Sequence, residues 1–209
     1  MEIENLPEEY EVIWKKCSKV LEKGGRPGDL KHAQEIVRFI LGYQGNLRID
    51  QSILIPVAMM HDIGHAAILP EHFKYITGPK KLINGKLVHM LAGAKIANDI
   101  LAAVDYNQEK SREIVDIISI HDADQLKDAS QEDFYDTENK KIFHDIDSLD
   151  RFTDERIRNF SSMYKDPKEI KNLLEKSINN LFYEEFRQVA RERMNNLRWE
   201  QFYDKKPIN

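Results

Sequence analysis

Apolar residues recur along most of the chain at three- and four-residue spacing, and nowhere do they alternate over a length that would make a convincing strand. Tyr10, Ile13, Trp14, Cys17, Val20 and Leu21 share one helical face, and that run stops at Gly24-Gly25, residues that readily end helices. Arg26-Pro27-Gly28-Asp29 reads as a turn. A second face then follows through Leu30, Ala33, Ile36, Val37, Ile40 and Leu41 to Gly42, with His32 in its opening turns. A third helix is expected from Asp50 as N-cap, or from Ile55 if Pro56, which lacks a backbone N–H, delays the start. Either start delivers His61-Asp62-Ile63-Gly64-His65.

From Leu69 to Gly85 the periodicity fails amid Pro70, Gly78 and Pro79, so a long loop is expected beside His61 and Asp62, placed to act as a lid. Helical spacing returns from Leu87 to about Val104, where His89, Gly93, Ile96 and Ile100 share a face. It returns again from Glu109 to His121, where Ile114, Ile117 and Ile118 lead to the imidazole of His121. An acidic loop, Asp122 to Glu138, comes next. Thr137 then caps a helix whose stripe is Ile142, Phe143, Ile146, Leu149 and Phe152, with Asp147 pointing partly inward. Asp166-Pro167 opens one last long helical region through Ile170, Leu174, Ile178, Phe182, Phe186 and Val189. The expectation is an all-α fold, a single helical domain over residues 1–209.

Composition narrows the function classes. With 209 residues, 41% of them hydrophobic, the chain can bury a sizeable core. Its 31 Lys plus Arg against 36 Asp plus Glu give a net charge of −5, which disfavours general binding to nucleic-acid backbones. The most apolar run, Ile53 to Met60, is far shorter than the roughly 18 residues of a membrane helix, so no membrane partner is expected. The acidic start Met1-Glu2-Ile3-Glu4-Asn5 does not resemble a secretory signal. The lone Cys17 excludes an internal disulfide framework and any CxxC motif, and a cytoplasmic protein is expected.

The seven histidines are 32, 61, 65, 72, 89, 121 and 144, and His61, His89 and His121 fall on or beside the apolar faces of separate helices. Imidazoles and carboxylates converging from several helices are how bundles build metal sites, because the ion neutralises carboxylates that burial would penalise. The adjacent His61 and Asp62 can meet one ion only at a helix end or a distortion, and Gly64 is expected to supply that freedom. His72 and His144 read as ordinary residues.

The ordered series His32, His61-Asp62 and Asp147 resembles the signature of the HD superfamily of metal-dependent phosphohydrolases, over about residues 30–152. His89-Met90-Leu91-Ala92-Gly93-Ala94 and the segment ending in His121 look like the extra histidines of its two-metal subgroup. The resemblance implies an HD-type helical bundle with the metal site inside it. One ion would be held by His32, His61, Asp62 and Asp147, and a second by Asp62 as bridge with His89 and His121. Four imidazoles and two carboxylates favour a transition metal such as Fe, Mn or Zn over an all-oxygen Mg site. Two such ions about 3.5 to 4 Å apart can share a hydroxide that attacks a phosphoester of a nucleotide or small phosphorylated metabolite. Asp62 and His65 are then the catalytic candidates, His65 either donating a proton to the leaving group or holding a phosphate, with Lys86 and Arg151 as cationic contacts to substrate.

The chain departs from the cyclic-dinucleotide phosphodiesterases of that superfamily, which often carry Lys where His65 stands and a Gly-Tyr-Pro motif where this chain has His121-Asp122-Ala123-Asp124. That argues against cyclic-di-GMP as substrate. The same ligand set also resembles di-iron HD-domain oxygenases, and a non-catalytic metal or nucleotide sensor is a third alternative. Neither the zinc-protease pattern nor a P-loop is met: Asp62 replaces Glu and Gly64 weakens the helix in the first, and position 80 lacks Gly and Leu87 is not Ser or Thr in the second. The C-terminal helices, about 167–203, carry no motif of the superfamily, and a homo-oligomer is compatible with the sequence.

Overall fold

The computed structural model describes residues 2–24, 26, 28–76, 84–126, 131–164 and 166–199, and every regular element among them is helical. They form two compact units, Met1–Phe143 and His144–Asn209. The first contains α1 (Glu8–Gly24), α2 (Asp29–Gly42), α3 (Gln51–Met60), α4 (Phe73–Ile76), α5 (Gly85–Ala103), α6 (Gln108–Ile120), α7 (Gln131–Phe134) and most of α8 (Glu138–Ser148). Short 3₁₀ turns at Ile63–Ala67, Pro70–His72 and Ala123–Gln125 interrupt them. No helix is long and apolar enough to cross a membrane among the described residues.

The apolar run Ile53 to Met60 is the centre of this unit. Every one of its residues is buried, because α3 is packed by α1, α2 and α6 and presents no face to water. Asp50 caps it, its carboxylate accepting from the Ser52 amide at 3.0 Å, so the earlier of the two expected starts is the observed one and Pro56 lies inside the helix. A proline there removes the N–H that would bond the Ser52 carbonyl one turn back. Tyr106 supplies the missing donor: its hydroxyl reaches the Ser52 carbonyl at 2.5 Å.

Past Met60 the chain tightens into the 63–67 turn, and α5 lies directly on it. A Cβ at Gly64 would come within 1.8 Å of the His89 carbonyl oxygen and 2.5 Å of the Gly93 nitrogen. Gly64 is therefore required for backbone contact, not for the conformational freedom expected of it, since Gly28 is the only glycine with positive φ among the described residues. Part of the expected Leu69–Gly85 loop is short helix, Pro70–His72 and α4, and residues 77–83, with Lys80 and Lys81, lie outside the described residues. The acidic stretch likewise contains the Ala123–Gln125 turn and α7, with 127–130 outside the description.

The second unit holds the last turn of α8, a 3₁₀ turn at Leu149–Phe152, then α9 (Asp154–Met163), α10 (Pro167–Asn179) and α11 (Glu184–Asn196). α9 was not anticipated from periodicity; Thr153 caps it at the Arg156 amide, and Ile157 is its buried anchor. The long C-terminal helical region expected from the pattern is divided into α10 and α11. The fully buried Asp145 carboxylate accepts from the Phe182 amide at 2.9 Å and the Tyr183 amide at 2.8 Å, and these amides can no longer extend α10. Residues 200–209, including the end of the expected extension, lie outside the described residues.

Gly64→Ala should cost about 3 kcal/mol or more in chemical denaturation, since the clash is with backbone. Gly93→Ala, whose nearest foreign atoms would be 3.3 Å away, should cost well under half of that. Tyr106→Phe should cost about 1 kcal/mol, the usual scale for losing one hydrogen bond to a part-buried carbonyl.

Candidate metal centre

Four helix termini bring the imidazoles together. His32 sits in the first turn of α2, its amide held by the Gly28 carbonyl at 2.8 Å. His61 follows the last residue of α3, and Asp62 follows it with φ −92° and ψ 1°, the sparsely populated bridge region. That break in the helix turns the adjacent side chains of His61 and Asp62 toward the same interior. His89 projects from the first turns of α5, and His121 follows the last residue of α6.

Asp62 is the hub. Donor atoms of His32, His61 and Asp62 lie within 4.8 Å of one another, and so do those of Asp62, His89 and His121; all five side chains are buried. Asp62 Oδ2 lies 3.6 Å from His61 Nε2, while Oδ1 lies 3.8 Å from Nε2 of both His89 and His121. The two carboxylate oxygens thus face different histidines. His65 adds a third approach, with Nε2 3.3 Å from Oδ1 and its ring stacked on His89 at 4.2 Å between centroids and 8° between planes.

The hydrogen bonds fix how these rings present themselves. Nδ1 of His61 donates to the Ala58 carbonyl at 3.1 Å, that of His121 to Ile118 at 2.8 Å, and that of His89 to Gly85 at 3.4 Å. A carbonyl can only accept, so each Nδ1 bears the hydrogen and each neutral ring offers its Nε2 lone pair to the interior. Burial, with His121 and His65 close by, pushes the His89 imidazole down to about 2, which keeps it neutral. For Asp62, burial alone would raise the carboxyl, but the surrounding His61, His121 and His65 and the Arg26 guanidinium outweigh it and hold the group well below the usual carboxylate range.

Nε2 of His89 and Nε2 of His121 are 3.1 Å apart. Two lone pairs at that distance repel unless a cation joins them, and ligand nitrogens about 2.0–2.1 Å from a common ion have this kind of spacing. Neutral imidazoles with Nδ1 anchored on backbone carbonyls and Nε2 aimed at an ionised carboxylate make a donor set that fits a divalent transition metal.

The other residues expected from the sequence have their own surroundings. Lys86 pairs with Asp122 Oδ2 at 2.5 Å, and that oxygen is 3.5 Å from His89 Nε2. Asp147 and Arg151 belong to the second unit, Asp147 half-buried on the last turn of α8 and Arg151 with its guanidinium 3.3 Å from the Ser177 hydroxyl. His144, also there, is buried against Asp145 at 2.9 Å. Three side chains were missed. Arg26 reaches Asp62 Oδ2 at 3.2 Å and Asp29 Oδ1 at 3.3 Å; Asp29, Asp62 and His65 form a further group of potential ligands; Asp122 joins Lys86 to His89. Asp29 lies three residues before His32, on neighbouring positions of one helix, and His121-Asp122 repeats the His61-Asp62 doublet. Those spacings were the available signals.

If the centre holds an ion, a saturating divalent metal should raise the melting temperature over chelator-treated protein, by about 2.7 kcal/mol of stabilisation at a hundredfold excess over Kd. Asp62→Asn should abolish the difference; calorimetry showing equal melting with and without metal would remove the assignment. In comparisons with known proteins, no family model, no curated protein and no solved structure matches this chain.

Proposed function

We propose that the protein is a metal-dependent phosphohydrolase of the HD type, cleaving the phosphoester of a nucleotide or small phosphorylated metabolite. The observation that carries this reading is the sharing of Asp62 between two histidine groups, His32 with His61 and His89 with His121, in the order that the superfamily's motifs follow along the chain. His32, His61 and Asp62 would hold one ion, and Asp62, His89 and His121 a second; Fe, Mn and Zn suit this mixed set. Bound there, such ions supply Lewis acidity that activates water and stabilises charge on phosphoryl oxygens.

The chain's own groups have distinct tasks in this scheme. Asp62, kept ionised, gives one oxygen to each histidine pair and so sets where both cations would sit. His61, His89 and His121 are held in one tautomer by the Ala58, Gly85 and Ile118 carbonyls, so their Nε2 atoms need no reorientation. His65 is less buried than its neighbours, and its Nε2 beside Asp62 is suited to hand a proton to the leaving oxygen. Lys86, with an accessible side chain next to the His89 group, provides positive charge for a phosphate.

Release of phosphate from p-nitrophenyl phosphate and nucleoside monophosphates, screened with Mn, Fe(II), Co and Ni, tests the reading. His61→Ala and Asp62→Ala should lose both bound metal and activity. His89→Ala and His121→Ala should each lose about one metal equivalent by elemental analysis. Turnover that requires dioxygen would replace hydrolysis with oxygenase chemistry, and metal binding without any turnover would leave a sensor.

A further inference from the structure

Arg26 is the strongest charge near the centre that the scheme above does not use. Its side chain is 49% exposed, yet its guanidinium bridges two carboxylates: Nη2 lies 3.2 Å from Asp62 Oδ2, and Nε lies 3.3 Å from Asp29 Oδ1. Asp62 Oδ2 is also the oxygen nearest His61, the one that would serve the ion held by His32 and His61. Asp29 is 4% exposed, and its other oxygen is occupied by the Arg26 amide at 2.7 Å, which ties this carboxylate to the base of the arginine. Whether the guanidinium leans on Asp62 or on Asp29, it stays within reach of both.

We infer that Arg26 is a built-in counter-ion that competes with the metal for Asp62, and that Asp29 is the acceptor that draws it away when an ion binds. A guanidinium and a divalent cation both seek the same carboxylate oxygen and repel each other at short range, so the arginine opposes loading of the His32–His61–Asp62 group. Asp29 offsets this opposition, because it offers the displaced guanidinium a second carboxylate without a change of its own backbone anchor. Without metal, Arg26 lessens the isolation of the buried Asp62 charge. The pair therefore sets the affinity of the centre from outside the two histidine groups. This inference rests on the metal-centre reading.

Titration of metal-free protein with Mn(II) and Zn(II) by calorimetry tests it without reference to activity. Arg26→Gln should bind metal about three- to tenfold tighter than wild type, the scale of a charge pair screened by partial exposure. Asp29→Asn should bind more weakly, because the arginine then has Asp62 alone to pair with. The double variant Arg26→Gln with Asp29→Asn should return toward the Arg26→Gln value, and Arg26→Lys, which keeps the charge, should stay near wild type. Unchanged or weaker binding by Arg26→Gln, with wild type binding normally, overturns the competition alone. Failure of wild type to bind either ion overturns the metal centre and this inference together.

Discussion

The first unit is organised around one buried anion. Asp62 is 7% exposed and ionised, and a carboxylate removed from water without compensation costs several kcal/mol. The Arg26 guanidinium, in the turn before α2, supplies positive charge, and the imidazoles around the carboxylate come from its neighbour His61 at the end of α3 and from distant positions: His32 at the start of α2, His89 early in α5 and His121 at the end of α6. Most of these sit at helix termini, where side chains can converge on a point without the helices having to cross there. A cation bound among them would offset the buried charge, so the folding requirement and the proposed chemistry share the same atoms.

Backbone contacts hold this arrangement in register. The 63–67 turn and α5 touch through Gly64, the His89 carbonyl and Gly93, so His89 cannot shift relative to Asp62 without separating two main chains. The rings are fixed in turn by carbonyls three or four residues earlier in each helix, which is local geometry repeated at His61, His89 and His121. α3, which carries His61, keeps its helical course through Pro56 because Tyr106 supplies the hydrogen bond that proline withholds.

The second unit contains an instructive contrast. His144-Asp145 is a His-Asp doublet like His61-Asp62, and its carboxylate is even more deeply buried. Asp145, however, faces the amides of Phe182 and Tyr183 and the adjacent His144 ring, so its charge is met by hydrogen-bond donors that also end α10. A doublet has no fixed meaning: surroundings decide whether its carboxylate organises imidazoles or a turn.

Residue periodicity alone determined the helical class, the principal helices of the first unit and the positions of His32, His61, His89 and His121 near their ends, because a helix face is a local property written at three- and four-residue spacing. It could not show that Gly64 serves contact with α5, since that depends on what approaches it. Nor could it separate α10 from α11, because the interruption comes from Asp145, 37 residues before Phe182. Arg26, Asp29 and Asp122 were read as turn or loop residues for the same reason. Which oxygen of Asp62 each imidazole and guanidinium meets is settled only when distant helix ends converge, and no local pattern encodes that convergence.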